Sequence, residues 1–337
     1  MKRDIRLLLI SCLVILLGLV PLQKAAGAPY YAGKTIRIVV GSAPGGGYDR
    51  MARLLSKHLS RHIPGNPVFI VDNMPGANSM IAANYVYNIA KPNGLTIGTF
   101  NQGIPLAQLM KADGVRFDVT RYAWIGSAAI ESTVLTLRSD LPFRNVEELR
   151  KTKEPIMLGT SGPAGQNHQF ITLLKEFGGF NFKIAIYPSS AATALAVETK
   201  EIDGLGGAHS SLKPNIDRGL LRPWIRSRAA QPETANLPVD EDLTTNIMGK
   251  TIMAMRAATD QVGRPYVAPP GTPAPVMKIL RDAFAAAAKD PKLQEDAIRT
   301  KMGVHYLPAD ECLKVFKNVL NQPQDIVKEA GKYLRFL

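Results

Sequence analysis

Cysteine is nearly missing: Cys12 and Cys312 are the only two in 337 residues, so a disulfide framework is excluded as the source of stability. Acidic side chains are also short, 28 against 41 lysines and arginines, which leaves a net charge of +13. Such a balance favours anionic partners. The basic residues are spread singly and are not gathered into a run interleaved with aromatics, so no nucleic acid is expected as a partner. Long apolar runs are missing too, apart from residues 7–20. That run is about 14 residues against the roughly 20 a membrane span needs. It follows Lys2, Arg3 and Arg6 and precedes Ala25, Ala26, Gly27 and Ala28, the layout of a signal peptide over residues 1–28 with cleavage near Gly27 or Ala28. A lipid-bearing Cys12 would need a longer apolar stretch before it. The remainder is expected to be an exported globular protein, and removal of Lys2, Arg3, Arg6, Lys24 and Asp4 lowers its charge from +13 to +10. Cys312, alone on a helical pattern, reads as buried filler.

From residue 35 the chain alternates β-branched runs with helical periodicity. Residues 36–40, 68–71 and 95–100 read as strands, with helices through Met51, Leu54, Leu55, Leu59 and Ile63 and through Ile81, Val86 and Ile89. Parallel pairing with right-handed crossovers follows from that alternation. Residues 156–159 and 182–187 begin a second set, with Phe170, Leu173, Leu174 and Phe177 on one helix face and another helix through Leu195 and Val197. The last third is helical. The fold class is therefore α/β, two lobes each built on a mostly parallel sheet flanked by helices. Ligands bind such sheets where the carboxyl ends of the strands feed into helices. Polar or glycine-rich loops stand at those places in both halves, so a cleft between the lobes would bring them to one ligand.

Among these loops GSAPGGGY, residues 41–48, stands out. It matches neither GxxxxGK[ST], since Gly46 is followed by Gly47 and Tyr48, nor GxGxxG, since Arg50 takes the third glycine's place. The segment around Ser161 resembles a nucleophile elbow, but Pro163 replaces its last glycine. His58 and His62 have zinc-compatible spacing yet sit beside Lys57 and Arg61, so a solvated helix face is the expectation. His209 is a candidate contact at a strand end. Two readings of the glycine loop stay open: a tight turn, or a nest of backbone amides for a carboxylate beside a helix N-terminus opened and capped by Asp49.

The order PGGGxD, ARLL, NMPGANS, PNG with LTIGT, LGTSGPAG, KEIDGL, APPGTPAPV and KDPKLQ to MGV resembles the extracytoplasmic solute receptors of the tripartite tricarboxylate transporters, the Bug proteins. The resemblance covers nearly the whole chain after residue 28. It implies a two-lobed Venus-flytrap fold of the type II periplasmic binding-protein class, with 29–127 plus 251–337 as one lobe and 128–250 as the other. It implies a monomeric periplasmic receptor, without cofactor, metal or catalysis, that hands a small organic carboxylate to a large and a small membrane permease subunit. The implied contacts are Ser42, Ala43, Pro44, Gly45, Gly46, Gly47 and Tyr48 from the first lobe, and Thr160, Ser161, Gly165, Gln166 and Asn167 from the second. Asn78, Asn101, Tyr187, Ser189 and His209 join them at neighbouring strand ends. A hinge is expected near 127–130 and again near 246–253. Departures fall at Tyr48, at YPSS over 187–190, where a lysine is lost, and over 232–243, and they bear on which acid fits. An exported hydrolase or transferase using Ser161 or His209 is the alternative.

Overall fold

The computed structural model describes residues 28–229 and 231–336; all of the expected signal segment except Ala28 lies outside them. The first strand, β1 (Thr35–Val40), shows why a sheet forms here. Its side chains alternate between faces: Ile36, Ile38 and Val40 enter one apolar cluster and Val39 another, so both faces are covered by helices. Then come α1 (Gly47–Leu59), β2 (Val68–Asn73), α2 (Met80–Asn88), β3 (Thr96–Thr99), α3 (Ile104–Leu109) and β4 (Ala123–Ser127). The chain next builds β5 (Thr133–Arg138), α4 (Val146–Lys151), β6 (Ile156–Thr160), α5 (Gln166–Gly178), β7 (Phe182–Ile186), α6 (Ser190–Glu198), β8 (Gly204–Ala208), α7 (His209–Asp217) and β9 (Leu221–Arg226). It returns through α8 (Ile247–Ala258) to β10 (Pro265–Ala268), α9 (Ala274–Ala288), α10 (Pro291–Arg299), β11 (Leu307–Pro308), α11 (Ala309–Leu320) and α12 (Gln324–Ala330).

Two sheets result, ordered β11-β4-β10-β3-β1-β2 and β7-β6-β8-β5-β9. They give the two-lobed α/β architecture of a type II binding protein. In the first sheet β1 pairs parallel with β2 and β3, and in the second β6 pairs parallel with β7 and β8. The reversed strands have a topological cause. β5 and β10 are the first full-length strands after each passage between sheets, and both run antiparallel to their neighbours. A chain arriving from the opposite sheet enters at the end where the other strands finish, so it must run the other way.

The outward passage is 128–132 and the return passage ends at 259–264. These two segments are stitched together by Ala128 N to Arg264 O, Gly263 N to Ala129 O and Glu131 N to Asp260 O, each 2.9 Å. Residues 246–253, expected to contain the second hinge, are instead the cap and first half of α8. One buried cluster runs from Val39, Phe100 and Trp124 through Leu135 and Phe170 to Ile252 and Phe316, and so reaches both sheets. The helical last third serves the first sheet: Phe284 of α9 covers one face and Phe316 of α11 the other. Burial holds the Cys312 thiol high, at about 12, which agrees with its reading as filler. Ile81, Ile89 and Leu195 depart from their apolar periodicity, since all three are exposed.

Candidate functional site

At the carboxyl end of β1 the chain passes under Ser79. A Cβ on Gly41 would stand 2.5 Å from Ser79 Cβ, so only glycine fits. Ser79 Oγ donates to Gly41 O at 2.8 Å and accepts from Asn101 N at 3.0 Å. One hydroxyl thereby ties together the loops that follow β1, β2 and β3. The segment carrying it has left-handed backbone at Ala77, Asn78 and Ser79 (φ 44°, 49° and 78°), strain that these bonds hold in place. Past a turn at Gly45, α1 starts with Gly46 as its N-cap and no side-chain cap. Asp49 does not open the helix, contrary to the sequence expectation. It is the third helical residue and its carboxylate turns back to accept from Gly45 N at 2.8 Å, from Asn73 Nδ2 at 3.0 Å and from Arg53 Nε at 3.0 Å. Burial pushes this carboxyl up, but Arg53, Gly45 and Asn73 together hold it below the usual carboxylate range. The first turn of α1 thus receives no side-chain cap from its N-cap residue.

The second lobe repeats this arrangement after β6. Gly165 is the N-cap of α5, again without a side-chain cap; α4, α6, α8 and α10 have such a cap, while α2, α3, α7, α9, α11 and α12 share its absence. Asn167 Oδ1 accepts from Ser161 Oγ at 3.1 Å, Thr160 Oγ1 lies 3.0 Å from His168 Nδ1, and the Gln166 amide is 2.7 Å from Thr259 Oγ1. Ser161 therefore has an amide for a partner and not an imidazole base. The His209 ring is buried and engaged through Nδ1 with Gln231 Oε1 at 3.0 Å. A serine nucleophile has no activating base in this arrangement.

The two sets of loops face each other. Asn78 Nδ2 donates to Ala164 O across the gap, and a Cβ on Gly103 would stand 2.9 Å from Gln166 Nε2. Tyr48 does not project freely into the cleft: its hydroxyl donates to Gln102 Oε1 at 2.7 Å and accepts from Gln102 N at 2.8 Å. Burial pushes that phenol up to about 12, so it stays a neutral donor. Gln102 Nε2 reaches Asp260 Oδ1 at 2.9 Å, and Ser227 Oγ donates to Asp260 Oδ2 at 2.6 Å. On the cleft floor lie two fully buried arginines: Arg256, 3.4 Å from Asp260, and Arg264, 2.9 Å from Glu131.

Of the expected contacts, Gly47, Asn78 and Gln166 stand at this junction: Gly47 lies against Ser211, Asn78 reaches Ala164, and Gln166 lies against Gly103. Asn101 is spent on its own turn, with Oδ1 accepting from Gly103 N at 2.8 Å. Tyr187 and Ser189 follow the edge strand β7; the tyrosine donates to Glu201 at 2.7 Å and the serine caps α6. His58 and His62 are not on a solvated face: they reach Asp296 at 3.0 Å and Asp290 at 2.8 Å, joining α1 and the turn that follows it to α10 and its N-cap. Among the described residues no group of three His, Cys, Asp or Glu is placed to hold a metal. Sequence reasoning missed Ser79, Ser211, Glu131 and Arg264. Their only signal was a polar residue beside a loop or passage, which many solvated positions share.

A sequence profile of the family described as tripartite tricarboxylate transporter family receptor matches residues 51–332. A UPF0065 protein of Bordetella pertussis is 25% identical over 323 residues, covering 94% of this chain and 95% of that one. Among solved structures, the periplasmic binding protein BugD superposes with a TM-score of 0.73 at 23% identity, over 89% of this chain and 99% of the other. Rpa4515 of R. palustris, solved with adipate, has a TM-score of 0.70 at 20% identity, over 89% and 98%.

Proposed function

The chain belongs to the tripartite tricarboxylate transporter receptor family, whose members are solute receptors and not enzymes, and from that premise we propose that it captures a small organic carboxylate between its two lobes. The supporting observation is the pair of glycine N-caps, Gly46 and Gly165, one on each lobe, each opening a 13-residue helix directly after a strand-end loop. Two positive dipole ends and oriented N–H groups are complementary to one carboxylate. The lobes are 29–127 plus 251–337 and 128–250, and closure about 128–132 and 259–264 excludes water from the carboxylate, which strengthens charge-assisted hydrogen bonds. Ser42 to Tyr48 and Thr160 to Asn167 supply the first contacts, with Asn78 at the rim. Delivery to a large and a small permease subunit, as a periplasmic monomer with its leader removed near Gly27 or Ala28, completes the reading. The adipate in Rpa4515 supports a carboxylate as the cargo class.

Gly46 offers a clean test. Its backbone (φ −73°, ψ 170°) suits a β-branched residue, and an added Cβ meets nothing nearer than Ala43 O at 3.6 Å. Gly46→Val is expected to leave the unfolding temperature of the ligand-free protein within about 2 °C. It should also abolish the thermal stabilisation that a panel of mono-, di- and tricarboxylates produces in the wild type. A folded variant that binds as well as wild type would remove this loop from the site.

A further inference from the structure

Arg264 is the least expected feature of the cleft floor. Its backbone is fixed within the return passage: the amide donates to Ser127 Oγ at 3.1 Å and the carbonyl accepts from Ala128 N. From that anchor the side chain, 2% exposed, runs to the start of α1. Its guanidinium lies 4.4 Å from the centre of the Tyr48 ring, and a Cβ on Gly47 would stand 2.5 Å from Nη2. Nη2 has three oxygen partners for its two hydrogens: Glu131 Oε1 at 2.9 Å, Ser210 Oγ at 3.1 Å and Ser211 Oγ at 3.4 Å. The longest and weakest is Ser211, whose hydroxyl is also the group packed against Gly47.

Resting on the receptor reading above, we propose that Arg264 determines specificity in this cleft: it is the fixed cation that meets the cargo's carboxylate beside Gly47, in place of its loose contact to Ser211. The electrostatics favour that occupant. A guanidinium set against a helix N-terminus is a like-sign pair, and Glu131 offsets one positive charge where the helix adds a further partial one. Arg50, in the first turn of α1, adds another cation: burial first, and then Arg264, push its guanidinium down. A carboxylate at Gly47 relieves all of these. Stacking on Tyr48 fixes the guanidinium plane, so the fork is organised before the cargo arrives. Backbone amides alone accept any hydrogen-bond acceptor, whereas a fixed cation separates a carboxylate from its neutral amide.

The experiment is calorimetric titration of the purified protein with adipate, malate and benzoate and with the amide of each. Wild type should prefer at least one acid to its amide by tenfold or more. In R264M/E131Q, which removes the pair together and strands neither charge, that preference should collapse to within about threefold, at unchanged circular dichroism. Glu131→Gln alone, which leaves the cation without its partner, should tighten acid binding several-fold, a gain that a merely structural ion pair would not produce. Retained acid preference in the double variant, or unchanged or weaker acid binding in E131Q, overturns the role of Arg264 and leaves the receptor reading intact. A wild type that binds none of the six compounds overturns both.

Discussion

Neighbouring glycines in the first loop have separate reasons to be glycine. Gly41 is a packing requirement: the loop after β2 crosses over it and Ser79 takes the space a methyl group would need. Gly41→Ala is therefore expected to cost about 1–3 kcal/mol of stability, measured by urea unfolding, because one added carbon in a closed contact forces backbone to move. Gly45 is conformational, with φ at 83°. Gly46 is neither, since it has room for a side chain and an extended backbone that other residues adopt. That distinction could not be read from the letters of GSAPGGG, since each case shows the same residue.

Among the elements, α8 best illustrates a conflict between local propensity and packing. Asn246 caps it by accepting from Gly249 N at 2.8 Å, and Gly249 then lies inside the first turn, where alanine would be preferred by about 1 kcal/mol. A Cβ on Gly249, however, would stand 2.6 Å from Phe177 Cγ on α5. We expect Gly249→Ala to lower the unfolding temperature despite its better propensity; a rise would show that the α5–α8 contact yields easily. Secondary structure elsewhere was legible because burial and periodicity agree: β1, β2, β6 and the helices α9, α10 and α11 lie close to where the pattern puts them. The exposure of Ile81, Ile89 and Leu195 was not legible, because an apolar side chain announces a tendency to be covered and says nothing of whether a neighbour arrives.

For the molecule as a whole, the charges buried where the lobes join make stability depend on pH. Asp240 is fully buried, 3.9 Å from Arg256 Nη2, and neither of its oxygens has a hydrogen-bond donor among the described residues. Burial pushes its carboxyl up to about 7, well above the unfolded value of about 3.9. A raised pKa in the folded state means that protonation favours folding. The contribution is fully present below about pH 4 and is lost as pH rises through 7, with a slope of at most about 1.4 kcal/mol per pH unit. Asp240→Asn should flatten this part of the stability profile and unfold at a higher temperature than wild type at pH 8, with Asp260 still pairing Arg256. An unchanged profile would mean that Asp240 is ionised throughout. The lobes also meet at the surface, where Lys301 Nζ lies 2.8 Å from Asp217 Oδ2, an exposed pair of small, salt-sensitive effect.

The chain's own pattern of alternating runs determined the α/β class, the succession of strands and helices and the place of the glycine loops at strand ends, because each follows from side-chain periodicity and turn chemistry within a few residues. The ordered series of motifs also carried the family. Tertiary structure alone decided that Asp49 faces inward, that Tyr48 is held by Gln102, that His58 and His62 join α1 and the turn after it to α10 and its N-cap, and that Arg264 lies against Gly47. Each of these is a contact whose energy depends on distances of a few ångströms, most of them between residues far apart in the chain, and no local pattern encodes such distances.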